Sequence, residues 1–540
     1  MHIDPIQLKA QSQLITDYRN NSEEIMSFFD YSPYDDVYEQ RLKDLGNRTF
    51  NRGELATTLH KINNEWNAPK STLNNIDKLN DENSVVVIGG QQAGLLTGPM
   101  YTINKVISII QFARQQEEKL ERPVIPVFWI AGEDHDFDEI NHIHLPEVPQ
   151  MKKYKLTHHI MEKKSVSDIP IDRVALSDWV DRLFEQLQET VYTKDIYDTI
   201  QTAMEKSQTY ADFFARMIHQ LFKDDGIVLI DSGNKDVRQL ESIYFQDMIK
   251  HQPGISEGVH TALSDLNEKG YKVSLEAGIH DGHLFYHEEN ERILLTRDNS
   301  GGWVGKQNEI SLTTDELMAT AINTPELLSN NVVTRPLMQE LLFPTLAFIG
   351  GPGEVGYWAG LKQAFHTMDL KMPPVLPRLS FTFVERSVVK ALEKYDIDVA
   401  SAINEGVKKK KNEWLQLKSN PQIDKLTAEI KTAIEKAHEP LRDLAKDIRS
   451  DLGDLGEKNL SHLHRDIDFL RGRLVKALEE KYTKELYEFD LIDISLYPHG
   501  ALQERLWNPL QWTNQYGTEF IRNLTATSCS FEKEHFVVYL

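Results

Sequence analysis

The chain has 540 residues, a formal net charge of −23, and hydrophobic and charged fractions of 40% and 26%. That length exceeds a single compact core and implies two or three domains, and the ordinary composition points to neither a disordered nor a fibrous chain. An acidic body argues against wrapping nucleic acid or coating an anionic membrane, because phosphate binding needs clustered Lys and Arg.

No apolar run approaches the roughly eighteen residues of a membrane span, and the opening MHIDPIQLKAQSQ lacks the apolar stretch of a signal peptide. Cys529 is the only cysteine, so neither an intrachain disulfide nor a Cys-based zinc cluster is available. The expected compartment is the cytoplasm.

In chain order, residues 1–80 are polar and helix-patterned with Asn and Asp turn signals. VVVIGG (85–90) is a buried-strand run, NKVISIIQFARQQ (104–116) carries apolar residues at helical spacing, and VIPVFWIAG (124–132) is the next strand. Strand, helix and strand so closely spaced form a βαβ unit with a right-handed crossover. YADFFARMIHQLF (210–222) reads as a helix before the strand GIVLIDS (226–232), and a hairpin spans 282–298. LAFIGGPG (346–353) repeats the strand-then-glycine theme before helix-like EVGYWAGLKQAF (354–365), and VLPRLSFTFVE (375–385) is a further strand.

From 385 to 490 the texture becomes charged, nearly neutral in sum, and free of strand signals. Leu460, Leu463, Ile467, Leu470, Leu474 and Ala477 form one heptad seam; Ile430, Ile434, Ala437, Leu441, Leu444 and Ile448 form another. Gly453 and Gly456 place the turn of a helical hairpin near 453–457, and Pro440 predicts a kink or break in the first helix. The chain therefore divides into a core over 1–384, an antiparallel coiled-coil arm over 385–490 and a segment over 491–540 that rejoins the core. A second apolar stripe on such an arm is best buried against a copy of itself, which predicts a homodimer.

Both strands at 85–90 and 124–132 run straight into reactive side chains. In a parallel sheet their ends open on one rim, where ligands bind. GGQQAGLLTGP precedes a helix, an arrangement that attracts anions. Gly89, Gly90, Gly94 and Gly98 permit close backbone approach; Gln91, Gln92, Thr97, Tyr101 and Lys105 supply polar groups. The spacing of a Walker A loop is missing. GEDHDFDEINHIH crowds Glu133, Asp134, His135 and Asp136 past a buried strand, and such crowding shifts protonation and marks functional sites. His135 is the candidate proton-transfer group, and Asn141 is a binding candidate. His142 and His144 read as scaffolding or as part of a metal site, and no metal is expected.

GGPGEVG holds a literal G-x-G-x-x-G at Gly351, Gly353 and Gly356, but Pro352 restricts the turn and no acid follows at the distance a dinucleotide needs. It reads instead as a second loop on the rim, presenting Glu354, Tyr357 and Trp358. NNVVTRPLMQELLFP adds Thr334, Arg335 and Gln339. Arg335 could fork a carboxylate or make a structural ion pair, and Arg378 is a weaker anion partner.

With these residues in view, the chain resembles the bacillithiol-biosynthesis cysteine-adding enzyme family of low-GC Gram-positive bacteria. The matching stretches are GGQQAGLLTGPMYTINK, VFWIAGEDHDFDEINH, VVTRPLMQELLFPTLAFIGGPGE and PHGALQERLWN. Gly356 stands where alanine is commoner in that family. The resemblance implies an α/β fold: a Rossmann-like parallel-sheet core with connecting-peptide-like insertions and an inserted α-helical coiled-coil domain that forms a homodimer. It also implies the last step of bacillithiol assembly, in which the cysteine carboxyl joins the amine of glucosaminyl-malate. The core is similar to class I adenylate-forming synthetases and pantothenate synthetase, but their HIGH and KMSKS signatures are missing, so that likeness covers fold more than mechanism.

A carboxylate is a poor electrophile at neutral pH, so amide formation requires activation, most simply by ATP. ATP or ADP is thus the expected nucleotide, with Mg entering only alongside it. On this reading the Gln91–Gly98 turn holds phosphate or the activated carboxylate, Lys105 supports the charge, and His135 takes the amine proton. Asp134 or Asp136 orients the imidazole, and Arg335 binds a malate carboxylate. Two competing readings are a metal-dependent hydrolase built on His135, His142 and His144, and a non-enzymatic nucleotide-binding dimer.

Overall fold

A computed structural model describes residues 2–9, 11–34, 36–134, 136–158, 164–289 and 291–540. Its centre is a parallel sheet of β1 (Val85–Gln91), β2 (Val124–Ile130), β3 (Val228–Asp231), β4 (Thr345–Gly350) and β5 (Val375–Pro377), in the spatial order β5-β4-β1-β2-β3. The helices that matter for the site and the arm are α1 (Met100–Leu120), α2 (Lys235–Glu268), α3 (Thr334–Leu342), α4 (Pro352–Trp358), α5 (Ile423–Ile448) and α6 (Ser450–Lys481). The runs VVVI and VIPVFWI are buried along their whole length, as parallel strands covered on both faces must be. Helix α1 connects β1 to β2 and buries Ile103, Val106, Ile107, Ile109 and Ile110.

The order of the strands locates the site. From β1 the chain steps outward through β2 to β3, whereas β4 and β5 lie on the other side of β1. The order reverses between β1 and β4, and ligands of open α/β sheets sit outside the strand ends at such a switch point. In register, Gln91 lies opposite Ile130, Ile130 opposite Asp231 and Gly350 opposite Pro377, so all five carboxyl ends reach one rim.

Between β3 and β4 the chain builds a second, antiparallel sheet that includes the expected hairpin, Asp281–Glu288 with Glu291–Arg297. The polar lead-in contributes a strand that its patterning hides: His2–Ile6 pairs antiparallel with His535–Tyr539, which pairs parallel with Phe381–Val384. VLPRLSFTFVE is therefore two strands in two sheets. The Arg378 amide donates to Gly350 O (2.8 Å) and the Leu379 amide to Ser108 Oγ (2.9 Å), turning the chain out of the central sheet. EVGYWAGLKQAF is likewise two short helices, α4 and Lys362–Thr367, with Gly360 pressed against Leu263 at the break.

In the arm, α5 and α6 pair as a long hairpin, but its turn is at Arg449, in extended conformation, rather than at 453–457. Gly453 and Gly456 lie inside α6. There they face α5: a Cβ at Gly453 would stand 3.1 Å from Lys446 Cβ. Pro440 lies within α5 and does not end it.

Candidate functional site

A cavity of about 390 Å³ opens at the switch point. Its walls include Gly90 and Gln91 at the end of β1, Gln92 after it, Ala131 and Asp134 after β2, Gly351–Glu354 after β4, and Arg378 after β5. Tyr101, Ser274, Arg335, Gln339, Tyr357 and Arg505 add further polar lining. Gly90 is required here, since a Cβ would lie 2.6 Å from Trp129 O on the neighbouring strand.

Lys105 lies beneath this cavity rather than in it. Projecting from α1, it is fully buried and donates to Gly90 O (2.6 Å), Gln91 Oε1 (3.2 Å) and Glu354 Oε2. The same Glu354 oxygen accepts the Gly351 amide at 2.7 Å. One ammonium thus ties the end of β1 to the start of α4. Burial lowers the Lys105 pKa, and Glu354 opposes that shift.

The carboxylate crowding after β2 is resolved by three arginines from distant segments. Glu133, completely buried, accepts Arg335 Nε on Oε1 (2.8 Å) and Arg238 Nη2 on Oε2 (2.7 Å). Asp134 Oδ1 accepts Arg335 Nη2 (3.1 Å) and Arg292 Nη1 (3.3 Å), and Arg238 reaches on to Glu241 (2.8 Å). Burial alone would raise the Glu133 carboxyl, but Arg335, Arg238 and Arg292 outweigh it and hold it at about 2. Glu241 shows the opposite balance: burial, with Glu133 nearby, pushes it up to about 7 against the pull of Arg238.

Several candidate residues are placed elsewhere. His135 lies outside the described residues. Asp136 caps the short helix Phe137–Ile140, its Oδ1 accepting the Glu139 amide. The second half of the glycine turn faces away from the cavity. Gly94 and Gly98 line a narrow crevice beside His142 and His144, and Thr97 borders a separate cavity. The Met100 amide at the start of α1 already donates to Trp507 O (2.8 Å), and Asn508 Nδ2 holds Leu96 O and Gly98 O. Gln92 itself donates to Glu139 Oε2 at 3.0 Å.

Asn141 is buried and donates to Asp138 Oδ1 (2.9 Å), and Thr334 donates to His283 O (2.7 Å); neither lines the cavity. Trp358 is buried behind it, stacked on Phe348 with centroids 4.3 Å apart. Arg335 is already engaged by Glu133 and Asp134, and Arg378 makes a bidentate pair with Glu504 (2.7 and 2.6 Å). Among the described residues no group of three His, Cys, Asp or Glu is placed to hold a metal ion. Cys529 is buried, and burial pushes its thiol up to about 11.

Two buried wall atoms have no hydrogen-bond partner among the described residues: Trp129 Nε1, a donor, and Gln339 Oε1, an acceptor. Buried polar groups are seldom left so, which suits a polar ligand. Sequence reasoning gave no role to Arg238, Arg292, Glu504 or Arg505, although Glu504 and Arg505 fall within the motif PHGALQERLWN.

Comparisons with known proteins cover the whole chain. Residues 1–379 match the family model "Bacillithiol biosynthesis BshC, N-terminal Rossmann-like domain", and residues 381–540 match "Bacillithiol biosynthesis BshC, C-terminal coiled-coil domain". Among curated relatives, proteins of Oceanobacillus iheyensis, Bacillus cereus strain B4264 and Bacillus thuringiensis strain Al Hakam are 45%, 41% and 39% identical. Each aligns over 100% of both chains and carries the name "Putative cysteine ligase BshC".

Proposed function

The chain belongs to the BshC family of bacillithiol-biosynthesis proteins, and on that premise we propose that it is a cysteine ligase acting in the switch-point cavity. The reaction joins the carboxyl of cysteine to the amine of glucosaminyl-malate, forming an amide in the last step of bacillithiol assembly. The observation that carries this reading is the cavity itself: it lies where the strand order reverses, with an unmet Trp129 donor and an unmet Gln339 acceptor in its wall.

The cysteine carboxylate needs activation before an amine can attack it. With ATP as co-substrate, a carboxylate oxygen displaces pyrophosphate from the α-phosphorus. The amine nitrogen then forms the C–N bond, AMP leaves on the carboxyl oxygen, and the nitrogen sheds a proton. Gln91, Gln339 and Trp129 offer hydrogen bonds to the substrates, while Lys105 and the arginine cluster hold the walls in place. Asp134 is engaged by two arginines and Glu354 by Lys105. His135 keeps the role of base that its sequence context suggests.

Incubating the pure protein with cysteine, glucosaminyl-malate and ATP, with thiol product and AMP followed by mass, tests the reading. Stoichiometric amide and AMP are expected; ADP in place of AMP would redirect activation to an acyl phosphate, and no amide would refute the ligase. His135→Gln should slow amide formation sharply, and unchanged turnover would remove it from the chemistry.

The reading includes a cytoplasmic homodimer joined through the arm. Helix α5 buries none of its residues, and Leu441, Ile448 and Phe469 are 62%, 67% and 71% exposed, an apolar surface that a second arm would cover. Paired Leu441→Glu and Leu444→Glu substitutions should convert a dimer to a monomer in analytical ultracentrifugation; an unchanged mass would move the interface elsewhere.

A further inference from the structure

The charges lining the switch-point cavity balance, with one exception. Asp134 is matched by Arg335 and Arg292, Glu354 by Lys105, and Arg378 by Glu504. Arg505 lines the same cavity, is exposed, and among the described residues its guanidinium meets no acceptor. In a chain of net charge −23, an arginine left unpaired at a cavity wall stands out.

Its backbone, by contrast, is held firmly. Arg505 ends the short turn Gln503–Arg505, whose first two side chains are locked into the core. Gln503 Nε2 donates to Phe383 O (2.8 Å) and Ser495 O (2.7 Å), and its Oε1 accepts the Phe383 amide (2.7 Å). Glu504 takes both Arg378 nitrogens and Asn104 Nδ2 (2.6 Å). A fixed Cα carrying an uncommitted guanidinium is preorganised for an anion, and the planar fork matches a carboxylate through two parallel N–H···O bonds. Arg505 also borders an adjoining cavity of about 430 Å³, which shares Ser274, Pro352, Gly353 and Arg378 with the first and gives a ligand larger than an amino acid room to extend.

We propose that Arg505 is the carboxylate anchor for the amine substrate, selecting a sugar amine that carries an acidic aglycone over the same sugar amine without one. The identity of that substrate rests on the ligase reading above; the unpaired charge does not. The role first expected of Arg335 passes to Arg505, because Arg335 already neutralises Glu133 and Asp134.

The test is calorimetric titration of full-length wild type, Arg505→Gln and Arg505→Lys with glucosaminyl-malate, and with methyl glucosaminide, which keeps the amine and lacks the carboxylates. Charge-assisted hydrogen bonds of this kind predict that Arg505→Gln weakens glucosaminyl-malate binding about 10- to 100-fold, with Arg505→Lys intermediate. Binding of methyl glucosaminide and the melting temperature should stay the same. In turnover, the KM for the acidic amine should rise while that for cysteine does not. Equal affinity of wild type and Arg505→Gln for glucosaminyl-malate, equal weakening of both ligands, or no binding of glucosaminyl-malate by wild type would each overturn the anchor. Binding and turnover fail separately: a wild type that binds through Arg505 yet makes no amide refutes the ligase, whereas amide formation indifferent to Arg505 refutes only the anchor.

Discussion

Glu133 in the core and Asp424 in the arm both accept a hydrogen bond from an arginine, at 2.8 Å from Arg335 and 2.6 Å from Arg471. The distances are alike and the settings are opposite. Glu133 is wholly buried between two guanidinium groups, whereas the Asp424 and Arg471 side chains are 35% and 42% exposed. Water stabilises the arm pair whether or not the contact forms, so holding two long side chains together gains little. In the core no water compensates, and each charge relies on the others. The comparison shows that contact geometry alone does not say what an ion pair does; desolvation decides.

The largest test of this contrast is Glu133→Ala. It strips Arg238 and Arg335 of a shared partner inside a low-dielectric core, and should lower unfolding stability by about 3–5 kcal/mol in denaturant titration. Asp424→Ala should change it by less than about 1 kcal/mol. Equal effects would mean that water reaches the core cluster.

Lys105→Met asks whether the core network serves function as well as stability. Methionine fills much the same space, but Gly90 O, Gln91 Oε1 and Glu354 lose their common donor. The two loops that form the cavity walls are then no longer tied, and a misplacement of about 1 Å is enough to slow a reaction on the order of 100-fold. The expected result is a fall in kcat of that size with the oligomeric state unchanged. An unchanged kcat would reduce Lys105 to a packing residue.

A smaller effect separates the two buried carboxylates by pH. Glu241 is raised from 4.5 to about 7, so its folded-state proton favours the native protein below pH 4.5, and that contribution is lost as pH rises through about 7. Glu133 is lowered to about 2, so its contribution is present above pH 4.5 and is lost as pH falls toward 2. Glu241→Gln should therefore flatten the decline of melting temperature between about pH 5 and 8 while leaving the acid limb, set by Glu133, in place. Parallel profiles for wild type and variant would show that Glu241 does not titrate in this window.

The same division governs what was legible in the sequence. VVVIGGQQ and VFWIAGED could be read because a strand buried on both faces leaves an unbroken apolar run, and parallel strands bring their far ends to one rim. Two of the arginines that neutralise those acids could not. Arg238 sits on a helix and Arg292 on a hairpin strand, and nothing local distinguishes a buried arginine from a solvated one. Gly453 and Gly456 misled for a related reason: glycine ends helices, but it also lets two helices approach, and here the second use prevails. The aligned halves of GGQQAGLLTGP share one turn yet face different cavities, because Asn508 and Trp507 from the C-terminal segment hold Leu96–Met100 on the other side.

The smallest expected effect lies in the arm and bears on its partner. Gly472 is inside α6, is exposed, and a Cβ there would meet no atom within 4 Å. In an isolated arm Gly472→Ala should stabilise α6 by about 1 kcal/mol, since alanine loses less backbone entropy on entering a helix. Hydrogen exchange of the surrounding amides would slow accordingly, with activity unchanged. Phe469, one turn away, and Leu470 and Leu474 beside it are among the apolar groups that the arm exposes. If a second arm covers them closely, the added methyl meets that surface instead, exchange quickens and the dimer loosens. The sign of this one substitution therefore says whether Gly472 faces water or another copy of the chain.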